Sequence, residues 1–345
     1  MKYKKILILK LGAIGDLVML TPAISLLRKA YPNAEISLLV AKEYKDVIED
    51  NPYIDKFIIA ENFKKGQRNY IKIMNLLKKI RKENFDLIIN CHTSFKMNLF
   101  AFLTGIKERI GFDLNGGYLN TKVLHYSEIK NKHDSEKYIE LMRLVGVKLK
   151  PRVIRYELFF PKELENIINV KLREKNIRSG DKIVGFVVGG GSDSRFHLNR
   201  RWPIANWIKL ANEIYQKEPK TKILLIGDKN DWEISEGVRK MTKNTINVCG
   251  KFTIKETMAL MKQLDYLVTT DTGPMHIGAA FTKVIALFGP TDPKQFGPQP
   301  IKKHLVIQNK MKCSPCYKNE KYKKCYNNIC MKHITPYEIF YLLFK

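Results

Sequence analysis

No stretch of the 345-residue chain approaches the ~18 apolar residues that a membrane-spanning helix needs. The opening Met1-Lys2-Tyr3-Lys4-Lys5 before Ile6-Leu7-Ile8-Leu9 imitates a secretory leader. Lys10 and Gly12 cut that apolar run short, and no small-residue cleavage site follows, so a buried first strand explains it better. The expectation is a cytoplasmic protein, peripheral at most to the inner membrane. Cysteine is scarce: six residues, four of them near the C-terminus, do not make a disulfide framework. Acidic residues are also few, 34 against 61 Lys and Arg, which leaves a net charge of +27. Such a charge concentrates nucleotides, sugar phosphates, nucleic acid or an acidic membrane face without choosing among them. Two signatures are missing as well. The G-x-G-x-x-G spacing of dinucleotide sites does not occur, and neither helix-turn-helix nor RNP patterns appear. A nucleic-acid-binding protein is therefore the weakest of the available readings.

Short apolar runs alternate with longer amphipathic stretches. The pattern predicts strands at Lys5–Leu9, Glu35–Val40, Lys56–Ala60 and Asp86–Asn90, with helices near Asp16–Ala30, Tyr70–Lys82, Phe95–Thr104 and Ser135–Val145. It then restarts, with strands at Lys182–Val188, Lys222–Ile226, Tyr266–Thr270 and Val284–Phe288. Helices near Pro203–Lys217, Asp231–Met241, Ile254–Gln263 and Pro274–Phe281 fall between them. Uniformly apolar strands separated by helices indicate α/β architecture with parallel sheets. The polar stretch Lys175–Lys182 suggests a boundary, giving domains at 1–175 and 182–330 and a C-terminal helix within 331–345. Two such halves would face a central cleft, with ligands at the carboxyl ends of the strands.

Five segments carry chemistry. Lys10-Leu11-Gly12-Ala13-Ile14-Gly15-Asp16 follows the first strand and opens a helix, so Asp16 is either a helix cap or a general base. Thr21-Pro22 inside that helical pattern implies a kink or a late helix start. Gly189-Gly190-Gly191-Ser192 leads into Arg195, His197, Arg200 and Arg201 before Trp202-Pro203, either an anion site or a solvated basic loop. Thr269-Thr270-Asp271-Thr272-Gly273-Pro274-Met275-His276 places a helix N-terminus after a strand, a ready pyrophosphate site. Phe288-Gly289-Pro290-Thr291-Asp292-Pro293 ends the next strand on a Gly-Pro turn. Cys313, Cys316, Cys325 and Cys330 have the close spacing of a structural zinc site or of unmetallated thiols, within a terminal segment 301–345 that holds ten Lys and two Glu.

Together these motifs resemble glycosyltransferase family 9, the ADP-heptose:lipopolysaccharide heptosyltransferases. The carriers are Leu11–Asp16 with Thr21-Pro22, Arg200–Pro203, Asp271–His276, Phe288–Pro293 and the Cys-rich C-terminus. The resemblance implies a GT-B fold of two Rossmann-like domains and inverting transfer that requires no catalytic metal. By position it implies that Asp16 is the base and that Arg200, Thr272 and Gly273 hold the donor phosphates, supported by Asp271 and His276. The cation two residues before the Trp is usually Lys in that family; here it is Arg200. The acid that holds the ribose is left open among Asp228, Asp231 and Glu233. The implied partners are a nucleotide-sugar donor and a lipid-linked or oligosaccharide acceptor at the inner face of the membrane. A different donor, such as a UDP-hexosamine, is the alternative within enzymes.

Overall fold

The computed structural model describes residues 2–61, 70–148, 153–190, 198–317 and 319–345. The chain divides into two compact units, Met1–Phe159 and Phe160–Lys345. In the first unit β1 (Lys5–Leu9), β2 (Glu35–Ala41), β3 (Lys56–Ala60), β4 (Leu87–Asn90), β5 (Glu108–Phe112) and β6 (Lys122–Leu124) form one sheet in the order β3-β2-β1-β4-β5-β6. In the second, β7 (Ile183–Val187), β8 (Lys222–Leu225), β9 (Thr245–Asn247), β10 (Tyr266–Thr270), β11 (Lys283–Phe288) and β12 (Leu305–Gln308) are ordered β12-β11-β10-β7-β8-β9. All pairs are parallel. Counted from β7, the second order is the first one repeated, a doubly wound topology built twice.

The central strands are sealed on both faces, which is why Ile6, Leu7, Ile8 and Leu9 could be read as one continuous apolar run. β5 escaped that reading because Glu108 and Arg109 interrupt its apolar run, and so did β6, β9 and β12 at the sheet edges. Those last three are short edge strands, and segments such as Thr245-Ile246-Asn247 carry too few apolar residues to stand out. The helix Tyr70–Lys82 lies where its pattern puts it, but Leu76, Leu77 and Ile80 are buried while Ile71 and Met74 are exposed. Ile71, Met74, Leu77 and Ile80 lie at steps of three, which drift around a helix of 3.6 residues per turn, so that line cannot stay on the buried face.

Pro22 neither delays nor ends its helix, which runs unbroken over Ile14–Ala30. The missing N–H would have bonded the Val18 carbonyl; the Thr21 hydroxyl donates there instead, at 2.8 Å. The units part between Phe159 and Phe160, earlier than the 175–182 stretch. The helix Glu163–Arg173 belongs to the second unit, where Lys171 pairs with Glu256 and Lys262 with Glu165 on the helix Ile254–Lys262 and its end. The final helix, Pro336–Phe344, sends Ile339 and Leu343 into the core around Trp202, Trp207 and Phe186.

Asn98 ties the end of β4 to the loop between β5 and β6. Wholly buried, it donates to the carbonyls of Leu114 and Asn115 at 3.0 Å each and accepts from Asn90 and Asn120 at 2.8 and 3.1 Å. Asn98→Ala strands two carbonyls and two amide donors in the interior. We expect a loss of about 2 kcal/mol or more, read as earlier denaturant unfolding of the first unit; an unchanged midpoint would show that water replaces the amide at no cost.

Candidate active site

In each sheet the strand order reverses at the centre, between β1 and β4 and between β7 and β10. Loops leaving those strands diverge to opposite faces and leave room at the carboxyl ends for a ligand. In the first unit the chain leaves β1 through Lys10, Leu11 and Gly12. Gly12 has φ +147°, and a Cβ there would stand 2.2 Å from the Tyr44 ring, so no other residue fits the turn. The helix starts at Ile14, and Asp16 in its first turn accepts the Ala13 N–H through Oδ2 at 3.1 Å. Asp16 is thus a cap in part. Its other oxygen, Oδ1, faces the Lys10 ammonium at 3.0 Å and the Tyr138 hydroxyl at 3.2 Å.

Lys10 is buried and packs over the Tyr138 ring, 5.1 Å from its centroid. Burial by itself would raise the Asp16 pKa. The Lys10 charge and hydrogen bond, helped by the Ala13 N–H, outweigh it and hold the carboxyl below its usual value. The side chain keeps 36% of its surface open to solvent, so an ionised carboxylate is presented outward. Beside it, at the end of β4, His92 accepts the Leu11 N–H through Nε2 at 3.0 Å. Burial, reinforced by Lys10, pushes that imidazole down to about 3, so it is neutral at pH 7.

The second unit gathers a cation and a helix N-terminus. Arg200 is largely buried, and its Nη1 lies 3.3 Å from the Asp271 carbonyl and 3.5 Å from Asp271 Oδ2. Burial works against the guanidinium charge, but Asp271, Tyr317 and Tyr322 more than restore it. Arg201 turns the other way and donates to the Gly189 carbonyl at 2.7 Å. Asp271 itself is buried at the end of β10. Thr272 then caps the helix Gly273–Phe281 by position only: its hydroxyl donates to the Thr270 carbonyl, not to the helix. With Pro274 in the first turn and no acidic residue there, the helix presents its positive end uncompensated by a side-chain cap. His276 is buried one turn in. Gly191, Ser192, Arg195 and His197 lie outside the described residues.

Of the three acids open for the ribose, two are committed to local structure. Asp228 accepts the N–H groups of Asn230 and Asp231, at 2.8 and 3.2 Å. Asp231 is buried against Gly189 and Gly227, where any Cβ would collide with its carboxylate. Glu233 instead borders an open cavity of about 560 Å³ beyond β8 and β9, together with Trp232, Lys229, Cys249 and Lys251.

The sequence pattern of Glycosyltransferase family 9 (heptosyltransferase) matches residues 73–327. The chain belongs to this family. It is 25% identical over 334 residues to a lipooligosaccharide heptosyltransferase 2 of Campylobacter jejuni, a match covering 94% of each chain. In fold it resembles a glycosyl transferase family 9 protein from Veillonella parvula, with a TM-score of 0.84, 22% identity, and coverage of 99% of this chain and 96% of that one. The Escherichia coli ADP-heptose LPS heptosyltransferase II is similar as well, with a TM-score of 0.77, 21% identity, and coverage of 98% and 97%. The architecture is accordingly GT-B, and the protein is a glycosyltransferase.

The four C-terminal cysteines of this glycosyltransferase differ in exposure. All four are free; Cys316 and Cys330 are buried, Cys325 is half-buried and Cys313 is exposed. Among the described residues, no group of three or more His, Cys, Asp or Glu side chains is placed to hold a metal ion. Burial raises the pKa of the Cys316 and Cys330 thiols, and the neighbouring thiols Cys313 and Cys325 push both in the same direction. Lys10, His92 and Tyr138 were missed as partners of Asp16. Lys10 had a signal, a cation at the end of an apolar strand, where burial requires a counter-charge; Tyr138, 122 residues away from Asp16, had none.

Lys10→Met removes the charge that overrides burial, so Asp16 should titrate upward. The wild-type depression contributes stability present above the unfolded-state pKa and lost as pH falls through the folded one; in the variant that sign reverses. NMR titration of the Asp16 carboxyl carbon checks this, and an unmoved midpoint would show that Lys10 does not control it.

Proposed function

We propose that this chain is an inverting, metal-independent heptosyltransferase. It would move a heptose from ADP-heptose to a lipopolysaccharide core or a related surface glycan. The observation that carries the reading is Asp16: an ionised carboxylate, one face held by a buried lysine and the other open, at the strand-order reversal of its sheet. An acceptor hydroxyl is a poor nucleophile until a base takes its proton as the new bond forms. Asp16 takes that proton, the hydroxyl oxygen attacks the anomeric carbon, and the bond from that carbon to the diphosphate breaks on the opposite face. The departing diphosphate gains negative charge. Arg200 and the backbone N–H groups of Thr272 and Gly273 offset it. Asp271 acts through Arg200, since a carboxylate pointed at phosphate would repel it, and His276 supports the same helix turn.

Glu233 and the Trp232 wall suit a nucleoside, the carboxylate for ribose hydroxyls and the ring for the base. The relatives' names favour ADP-heptose over other donors. On the acceptor side, the helix Phe95–Leu103 exposes Phe95, Leu99, Phe102 and Leu103. The adjoining helix Tyr70–Lys82, tied to it by the Arg81 bond to the Leu103 carbonyl, is basic and has no acidic residue. Apolar side chains ringed by lysine are what a lipid-linked acceptor at an anionic surface would engage. No helix of the described residues is long and apolar enough to cross a membrane.

Three outcomes are expected. A thermal-shift panel of ADP-heptose, ADP, UDP and UDP-sugars should stabilise the protein most with the adenine compounds; a UDP-sugar ranking first would replace the donor. Asp16→Asn keeps the cap, so the variant should fold and bind ADP while kcat falls by roughly 10²–10⁴-fold; near-normal turnover would falsify the base assignment. With vesicles of phosphatidylglycerol and phosphatidylcholine, the protein should cosediment in proportion to the anionic lipid. Leu99→Ser with Phe102→Ser should release it, and equal binding by that variant would move the lipid-facing surface elsewhere.

A further inference from the structure

The Cys-rich stretch is tied by hydrogen bonds to the loops around Arg200 and Pro290. On one side the N–H groups of Cys316 and Tyr317 both donate to the Pro290 carbonyl at 2.8 Å, and the Ser314 hydroxyl donates to the Gly289 carbonyl. On the other side Asn328 donates to the carbonyls of Asn199 and Arg201 at 3.3 and 2.9 Å, while Asn199 donates to the Tyr322 carbonyl at 3.1 Å. The residues on either side of Arg200 are therefore tied to this strap, whose far end is anchored by the buried Met331 and by the Trp202 indole bonded to the Ile334 carbonyl at 2.9 Å.

Between the two sets of ties the strap offers Tyr317 to Arg200. The guanidinium carbon lies 4.3 Å from the centroid of that ring. Tyr317 is in turn braced edge-on by Tyr322 at 5.4 Å and by Phe296 at 6.0 Å. Hydrogen bonds hold the guanidinium less well. Its contacts to Asp271 are long, 3.3 and 3.5 Å, the Tyr322 hydroxyl adds one further polar contact, and its buried Nε has no hydrogen-bond partner among the described residues. A planar cation in that position takes its orientation chiefly from the ring face it stacks on, and stacking leaves its N–H edge available to phosphate oxygens.

We propose that Tyr317 is a positioning residue for Arg200, and that the Cys-rich strap serves the reaction by holding this aromatic floor beneath the guanidinium. The inference rests on the reading of Arg200 as the cation for the donor diphosphate. It assigns the work to the ring and not to the phenol. Preorganising the cation strengthens binding of the diphosphate and adds further where charge grows as it leaves.

Calorimetric titration with ADP and with UDP, on the full chain, separates the possibilities. Tyr317→Phe should bind within about twofold of the wild type, whereas Tyr317→Leu should bind about tenfold more weakly, the scale of one partly desolvated cation–π contact. In an Arg200→Ala background, Tyr317→Leu should cause no further loss, because the group it positions is gone. Tyr317→Met, of similar reach, takes the place of the leucine variant if that one melts early. Unchanged binding by the leucine or methionine variant, a phenylalanine variant as weak as either, or additive losses with Arg200→Ala would each overturn the positioning role while leaving the donor reading intact. A wild-type protein that binds neither nucleotide would overturn the donor reading and the inference with it.

Discussion

Parallel strands in one sheet must be joined by crossovers, and a sheet that grows outward from its centre in both directions sends neighbouring loops to opposite faces. In this chain that constraint operates twice, at β1 and β4 and again at β7 and β10. Each candidate group follows from it. Lys10, Asp16 and His92 stand at the first reversal, while Gly189 and Asp271 stand at the second, with Arg200 brought to Asp271. The closed apolar sheets supply rigid strand ends, and side chains there can be aimed without paying again for their order.

The two units solve a similar electrostatic problem in similar ways. Each buries a cation close to a strand end, and each gives it one carboxylate and one tyrosine ring: Asp16 and Tyr138 for Lys10, Asp271 and Tyr317 for Arg200. A charge withdrawn from water requires a counter-charge or a polarisable face, and here it receives both. The consequences differ. Lys10 is satisfied by its partners and acts back on Asp16, keeping it ionised and ready to accept a proton. Arg200 is held by long contacts and a ring face, which would suit the role proposed for it, turning its N–H edge toward an incoming anion.

Much of this was legible in the residues themselves. The buried strands announce themselves because both of their faces are sealed, so apolar runs such as Lys5–Leu9 and Tyr266–Thr270 are nearly continuous. Asp16, Arg200 and the Asp271–His276 turn are visible because a helix opening after a strand needs glycine, proline and small polar residues in a fixed local order. Local spacing alone carries that information. The edge strands were hidden for the converse reason: β6 and β9 are three residues long, and pairing decides them more than composition does.

Tertiary structure decided what the groups become. Whether Asp16 is only a cap or also a base depends on Lys10 and Tyr138, and the latter reaches it from a helix far along the chain. Asp228, Asp231 and Glu233 are indistinguishable in sequence, yet folding assigns the first to a turn, the second to a glycine-lined niche and the third to an open cavity. The spacing of the four cysteines left a zinc site and unmetallated thiols both open, whereas folding ties their segment by hydrogen bonds to Gly289 and Pro290 on one side and to Asn199 and Arg201 on the other. Spacing along a chain limits which side chains can meet; burial and long-range packing determine which of them do, and with what charge.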